Sequence, residues 1–180
     1  MMFTKTFGIA AAFAAVASAL PNGLANKVRR DDVATGGSVL ITNNLNVDVY
    51  AWSVTDVSGP MLVLPANGGV YTEAWKLNPN GGGVSIKLST DPNQQDVLQF
   101  EYTQAVDTIF WDLSCINMGS DSQFTKYGFA VQPTDATSSC PSAICAAGDT
   151  ACSDAYLLPY DDWATHGCPI NTGLSLTIGQ

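Results

Sequence analysis

The stretch that decides the fold is Cys140-Pro141-Ser142-Ala143-Ile144-Cys145, followed by Cys152-Ser153-Asp154-Ala155-Tyr156, then Asp161-Asp162-Trp163-Ala164-Thr165 and Cys168-Pro169. Four cysteines within thirty residues, interrupted by turn residues and with one histidine in the whole chain, do not form a zinc pattern. They read as a disulfide framework, provided the chain enters an oxidising compartment.

The N-terminus supplies that condition. Lys5 gives a positive start, Phe7 to Val16 is apolar, and Ala17-Ser18-Ala19 is a small-x-small cleavage site, so residues 1–19 read as a signal peptide. The apolar run is too short to span a bilayer, and no later stretch approaches the eighteen or so residues required. Lys27-Val28-Arg29-Arg30 follows, and residues 20–30 read as a propeptide ending in a dibasic site. Residues 31–180 are then one domain, large enough to bury roughly two-thirds of the surface that the unfolded chain exposes.

Removing residues 1–30 takes four of the seven basic residues and none of the sixteen acids, leaving three lysines and a formal charge of about −13. Such a surface repels phosphate backbones, which excludes nucleic acid as a partner. No Asn-x-Ser/Thr sequon occurs.

From residue 38 the chain is a series of short β runs with turn punctuation. Ser38–Thr42, Val47–Val54, Val70–Leu77, Val97–Thr103, Thr108–Ser114, Gly128–Gln132 and Leu174–Ile178 are expected strands. Between them, Val84, Ile86 and Leu88 alternate with Ser85, Lys87 and Ser89, a strand with one wet face. Asn78-Pro79-Asn80-Gly81-Gly82-Gly83 is a turn. The one helical expectation is a turn or two near Cys152–Leu158. Many short strands with Gly/Pro/Asn turns predict an all-β sandwich or barrel-like fold with little helix.

Five cysteines leave one thiol over, and spacing alone does not choose among the fifteen pairings. A resemblance does. The cysteine block is similar to that of the thaumatin-like proteins. Ile41-Thr42-Asn43-Asn44-Leu45 with Val49-Tyr50-Ala51-Trp52 resembles the family's opening. Gln99-Phe100-Glu101-Tyr102 and Phe110-Trp111-Asp112-Leu113-Ser114 resemble two of its inner segments. The chain is most similar to the small secreted type of filamentous fungi (the CetA/CalA type, and more loosely the yeast-phase-specific secreted family). The resemblance implies a thaumatin-like β-sandwich with bonds Cys140–Cys168 and Cys145–Cys152. It also implies that one family bond is lost as a complete pair, Leu45 and Gly179 standing at its two positions. Cys115 is left unpaired, either as a buried thiol beside Trp111 or as the mark of a rearranged or intermolecular bond.

Larger family members carry an acidic cleft of one arginine, one glutamate and three aspartates, associated with β-glucan binding and weak glucanase activity. Glu101, Asp112 and Asp154 match three of the acids, Asn117 stands where a fourth is usual, and the region Met61–Val70 offers no arginine. Each acid is equally readable as an ordinary strand-face or turn residue. Two carboxylates catalyse glycoside hydrolysis only when their pKa values are pushed apart. With the arginine absent and Asn117 unable to titrate, sugar binding survives better than catalysis. The resemblance thus implies a secreted or wall-associated, non-enzymatic protein that binds cell-wall β-glucan, with a part in wall remodelling during early conidial germination. A weak endo-β-1,3-glucanase and an adhesin or effector for a host-cell surface protein are the alternatives.

No cofactor or metal site is expected, and a monomer is. His166 has no Gly-x-Ser-x-Gly nucleophile to serve, and Asp161, Asp162 and His166 read as a solvated loop. Trp52, Trp75 and Trp111 read as core and Trp163 as exposed.

Overall fold

The protein is described from a computed structural model in which residues 37–180 are placed; the expected signal peptide and propeptide lie outside them. The strands are β1 (Ser38–Asn43), β2 (Val49–Val54), β3 (Leu62–Leu64), β4 (Gly69–Ala74), β5 (Val84–Ser89), β6 (Val97–Gln104), β7 (Thr108–Asn117), β8 (Phe129–Pro133), β9 (Ala143–Cys145), β10 (His166–Pro169) and β11 (Leu174–Ile178). Helix α1 spans Gln123–Tyr127, and a 3-10 turn spans Asp162–Ala164.

These strands form two sheets, one ordered β4-β1-β11-β8-β9 and the other β10-β7-β6-β5-β2-β3. Only β1 and β11 pair in parallel; the remaining strand pairs are antiparallel. One face of each sheet fills a shared core. Val39, Ile41, Val131, Leu174, Leu176 and Ile178 come from the five-stranded sheet. Val49, Ile86, Leu88, Phe100, Trp111 and Leu113 come from the other. Period-2 alternation drives this, because every second side chain of a strand points to the same face. Trp75, Phe100, Trp111 and His166 form a chain of neighbouring rings through that core, with centroids 6.3, 6.1 and 4.4 Å apart. Trp163 is 71% exposed.

The turn after β1 is built by Asn43, which is fully buried. Its amide donates to the carbonyls of Val47, Leu64 and Pro65, and its Oδ1 accepts the Leu45 N–H, so no polar atom of this side chain is orphaned.

Two disulfides hold the second half. Cys140, just ahead of β9, is bonded to Cys168 in β10, which joins the edge of one sheet to the edge of the other. Cys145 is bonded to Cys152 and closes the loop after β9; Cys115 is a free cysteine. The expected helix near Cys152–Leu158 is not formed. That segment lies along β7, with the Tyr156 N–H donating to the Leu113 carbonyl and the Cys115 N–H to the Tyr156 carbonyl. Tertiary hydrogen bonds outcompete a weak local preference there. The helix forms instead after Ser122, whose hydroxyl accepts the Phe124 N–H as a cap.

Candidate functional site

The outer face of the six-stranded sheet positions the site. In the β6–β7 ladder Glu101 lies opposite Asp112, Thr103 opposite Phe110 and Gln99 opposite Ser114. In the β5–β6 ladder Ser85 lies opposite Glu101 and Lys87 opposite Gln99. Directly paired residues share a face, with Cβ atoms about 4.5–5.5 Å apart. A row therefore runs across the sheet from Ser85 through Glu101 to Asp112. Thr165 extends it, since the β7–β10 register pairs Trp111 with His166.

This row floors an open cleft of about 600 Å³ that is also lined by Lys87, Gln99, Thr103 and Phe110. Tyr156, beside it, shares its hydroxyl with Thr165 Oγ1 at 2.6 Å and donates to Asp162 Oδ1 at 3.3 Å, which fixes the rim.

Burial and proximity set the electrostatics of the pair. Burial pushes the Asp112 carboxyl up to about 7, with the facing Glu101 charge adding to the effect. Asp112 Oδ1 is buried with no hydrogen-bond partner in the protein, a poor environment for a carboxylate. Glu101 is also raised by burial, but the Ser85 hydroxyl and the Lys87 charge act against the rise. Lys87 is the cation that the sequence around Met61–Val70 did not offer; it arrives from β5 instead. The two acids are therefore unequal, with Asp112 the one that keeps its proton into the neutral range.

The four residues expected from the sequence divide. Glu101 and Asp112 come together in the cleft. Asn117 pairs with Val97 beyond a bulge in β7 and touches the cleft only by accepting from the Gln99 amide at 3.3 Å. Asp154 lies outside the lining, and its Oδ2 accepts the Ile144 N–H at 2.9 Å, securing β9. Asp161 is not solvated as expected: it is buried, and its Oδ2 accepts the Leu157 and Leu158 N–H groups at 2.9 Å each. Lys87, Thr103, Phe110 and Thr165 were not singled out as site residues. The alternation of Ser85 and Lys87 with apolar residues was the signal that places Lys87 on the wet face. Among the described residues no group of three or more His, Cys, Asp or Glu side chains is arranged to hold a metal. No helix among them is long and apolar enough to cross a membrane.

A two-sheet β-sandwich stapled through its last third, with paired acids on the outer face of the larger sheet, defines a thaumatin-like protein. Comparison with known proteins places it more closely. Residues 30–180 match the Blastomyces yeast-phase-specific protein family (Bys1), and the chain belongs to that family. It is 42% identical over 179 residues to the secreted thaumatin-like protein calA of Emericella nidulans, covering 99% of this chain and 98% of that one. It is 39% identical over 142 residues to an antigenic thaumatin-like protein of Arthroderma benhamiae, covering 79% and 70% respectively. The crystal structure of the protein elicitor MoHrip2 from Magnaporthe oryzae superposes with a TM-score of 0.64 at 21% identity, over 80% of this chain and 99% of that one, a likeness of fold. The protein is a secreted thaumatin-like protein.

Proposed function

We propose that this protein binds cell-wall β-glucan in the Glu101–Asp112 cleft, without hydrolysis as its main activity, and acts in fungal wall remodelling during early conidial germination. The observation that carries the reading is the cleft's donor and acceptor set. The Asp112 carboxyl, which keeps its proton into the neutral range, the Glu101 carboxyl beside it, the hydroxyls of Ser85, Thr103 and Thr165 and the Gln99 amide line an open groove. That set suits the alternating donors and acceptors of sugar hydroxyls. The setting in germination rests on the resemblance to the small fungal secreted type.

Retention on insoluble β-1,3-glucan tests the binding. Wild-type protein is retained, and the Glu101→Gln, Asp112→Asn double variant loses at least tenfold in affinity. Equal retention of the two proteins overturns the assignment.

One observation favours a second reading, a weak endo-β-1,3-glucanase. The facing acids have unequal environments: burial and the Glu101 charge raise Asp112, whereas Ser85 and Lys87 oppose the rise at Glu101, which makes Asp112 the better proton donor of the two. Reducing-sugar release from β-1,3-glucan near pH 5 that Asp112→Asn abolishes supports it; no release from wild type retires it.

A further inference from the structure

Phe110 is the anomaly of the cleft. It is 45% exposed on the same face as Asp112, two residues along β7, in a groove otherwise lined mainly by polar side chains. It belongs to none of the aromatic pairs among the described residues. The residue opposite it on β10 is Gly167. A Cβ at position 167 would lie 3.3 and 3.4 Å from two carbons of the Phe110 ring, so the ring rests against bare backbone and would have to give by a few tenths of an ångström to admit a side chain there. Leaving a large apolar ring half in water forgoes about 25 cal/mol for every Å² that burial would have removed from solvent. Its neighbours explain what recovers that surface. Thr103 lies across the ladder on one side, and Asp112 and Glu101 lie one row away.

We infer that Phe110, seated on Gly167, is a stacking platform for one pyranose ring of a neutral polysaccharide. The ring's C–H face lies on the aromatic face, and its edge hydroxyls reach Asp112, Glu101 and Thr103. An aromatic surface beside a few placed polar groups is the usual make-up of a pocket that orients a small polar ring. Uronic and other anionic sugars are disfavoured, since the groove sets two carboxyl groups against the one lysine, Lys87, and the chain carries a strong net negative charge. This inference rests on the carbohydrate-binding reading and goes beyond it. It assigns the residue that selects a ring with an apolar face, and it sets neutral sugars apart from anionic ones.

The test separates stacking from mere bulk. Binding to insoluble β-1,3-glucan, β-xylan and mannan is measured at pH 5 for wild type, Phe110→Leu and Phe110→Tyr, with thermal midpoints confirming that each is folded. Leucine keeps apolar volume but has no aromatic face, so Phe110→Leu is expected to lose at least fivefold in affinity. Phe110→Tyr is expected to stay within about twofold of wild type. Gly167→Ala, which shifts the ring by a few tenths of an ångström without altering a side chain of the cleft, is expected to weaken binding by less than the leucine variant does. Equal binding by Phe110→Leu and wild type overturns the platform, as does an equal loss in the leucine and tyrosine variants. Wild type that ignores β-1,3-glucan but binds another of these polymers with the same leucine–tyrosine split defeats the glucan reading and sustains the platform. Wild type that binds none of the three defeats both.

Discussion

Tyr102 in β6 donates its phenolic hydrogen to Glu73 Oε1 in β4 at 2.6 Å, joining the middle of one sheet to the edge of the other. The Glu73 side chain is only 11% exposed, and it also accepts from Tyr71 and pairs with Lys76 at 2.8 Å. Burial alone would raise its carboxyl, but the hydrogen bonds from Lys76, Tyr102, Ser53 and Tyr71 outweigh that and leave it below the ordinary value. Replacing Glu73 by alanine removes the acceptor of two phenols and the ion-pair partner of Lys76. The expected cost is about 2–4 kcal/mol, measured as a lower urea midpoint with an unchanged m-value. Tyr102→Phe removes one donor and costs about 1 kcal/mol. The two losses are less than additive in a double-mutant cycle; full additivity contradicts the network.

Asp112 has the opposite sign of linkage. Its folded-state value, about 7, lies above the ordinary carboxyl range, so the native state holds the proton more tightly than the unfolded chain does. The stabilisation is therefore complete below about pH 4 and is lost as pH rises toward 7. Asp112→Asn abolishes that loss. The variant and wild type should be similar near pH 4, and the variant more stable at pH 8 by on the order of 2 kcal/mol once solvent screening is allowed for. Chemical denaturation at the two pH values reads this out, and a constant difference between them contradicts it. Glu73 works in the other direction, its contribution fading as pH falls through its lowered value, so stability peaks in the mildly acid range.

The free thiol of Cys115 is half-buried, and burial pushes it up to about 12. Thiolate is the reactive form, so native protein at pH 8 should react with iodoacetamide at least tenfold more slowly than the same chain unfolded in urea. A reaction as fast as in urea contradicts the burial. An intact mass showing one alkylated cysteine after unfolding without reductant confirms a single free thiol.

The resemblance puts Leu45 and Gly179 at the two positions of a lost family bond, and they are neighbours in space. A Cβ at Gly179 would lie 3.1 Å from Leu45 Cδ2, and Leu45 itself is buried. Leu45→Cys with Gly179→Cys should close a third disulfide spanning 134 residues, seen as protection of both thiols from alkylation. The loop entropy of about 4–5 kcal/mol is partly offset by strain, because Gly179 has φ +80, so a net gain of about 2–3 kcal/mol is expected. Two freely alkylated thiols at these positions would show that the approach is not maintained in solution.

Much of the sandwich was legible because its strands carry their own signal. β5 reads Val-Ser-Ile-Lys-Leu-Ser, a period of two that states both that a strand forms and which face is wet. β3, β9 and β10 carried none. Leu62–Leu64 and Ala143–Cys145 are three residues long, and His-Gly-Cys-Pro has almost no strand preference. They are edge strands, held by the neighbouring ladder, and for β9 and β10 by disulfides, rather than by their own composition.

The candidate site was legible in kind and less so in membership. Glu101 and Asp112 each belong to a segment with a recognisable pattern, and the short turn between their strands brings them face to face. Asn117 was drawn away because a bulge adds one residue to the β7 side of the ladder. Asp154 was drawn away because an N–H of β9 needed an acceptor. Lys87 and Phe110 joined because the register of the consecutive strands β5, β6 and β7 turns them to the same face as Glu101 and Asp112.

The sequence by itself determined the leader-like N-terminus, the alternation that makes two-faced strands, and a cysteine block distinctive enough to resemble one family. These are local properties, written in neighbouring residues. The tertiary structure alone decided which carboxylates share a surface, which one holds its proton, that a lysine from β5 stands beside them, and that Phe110 lies bare on Gly167. Those depend on register, burial and distance between residues remote in the chain, and a one-dimensional pattern holds no measure of any of them.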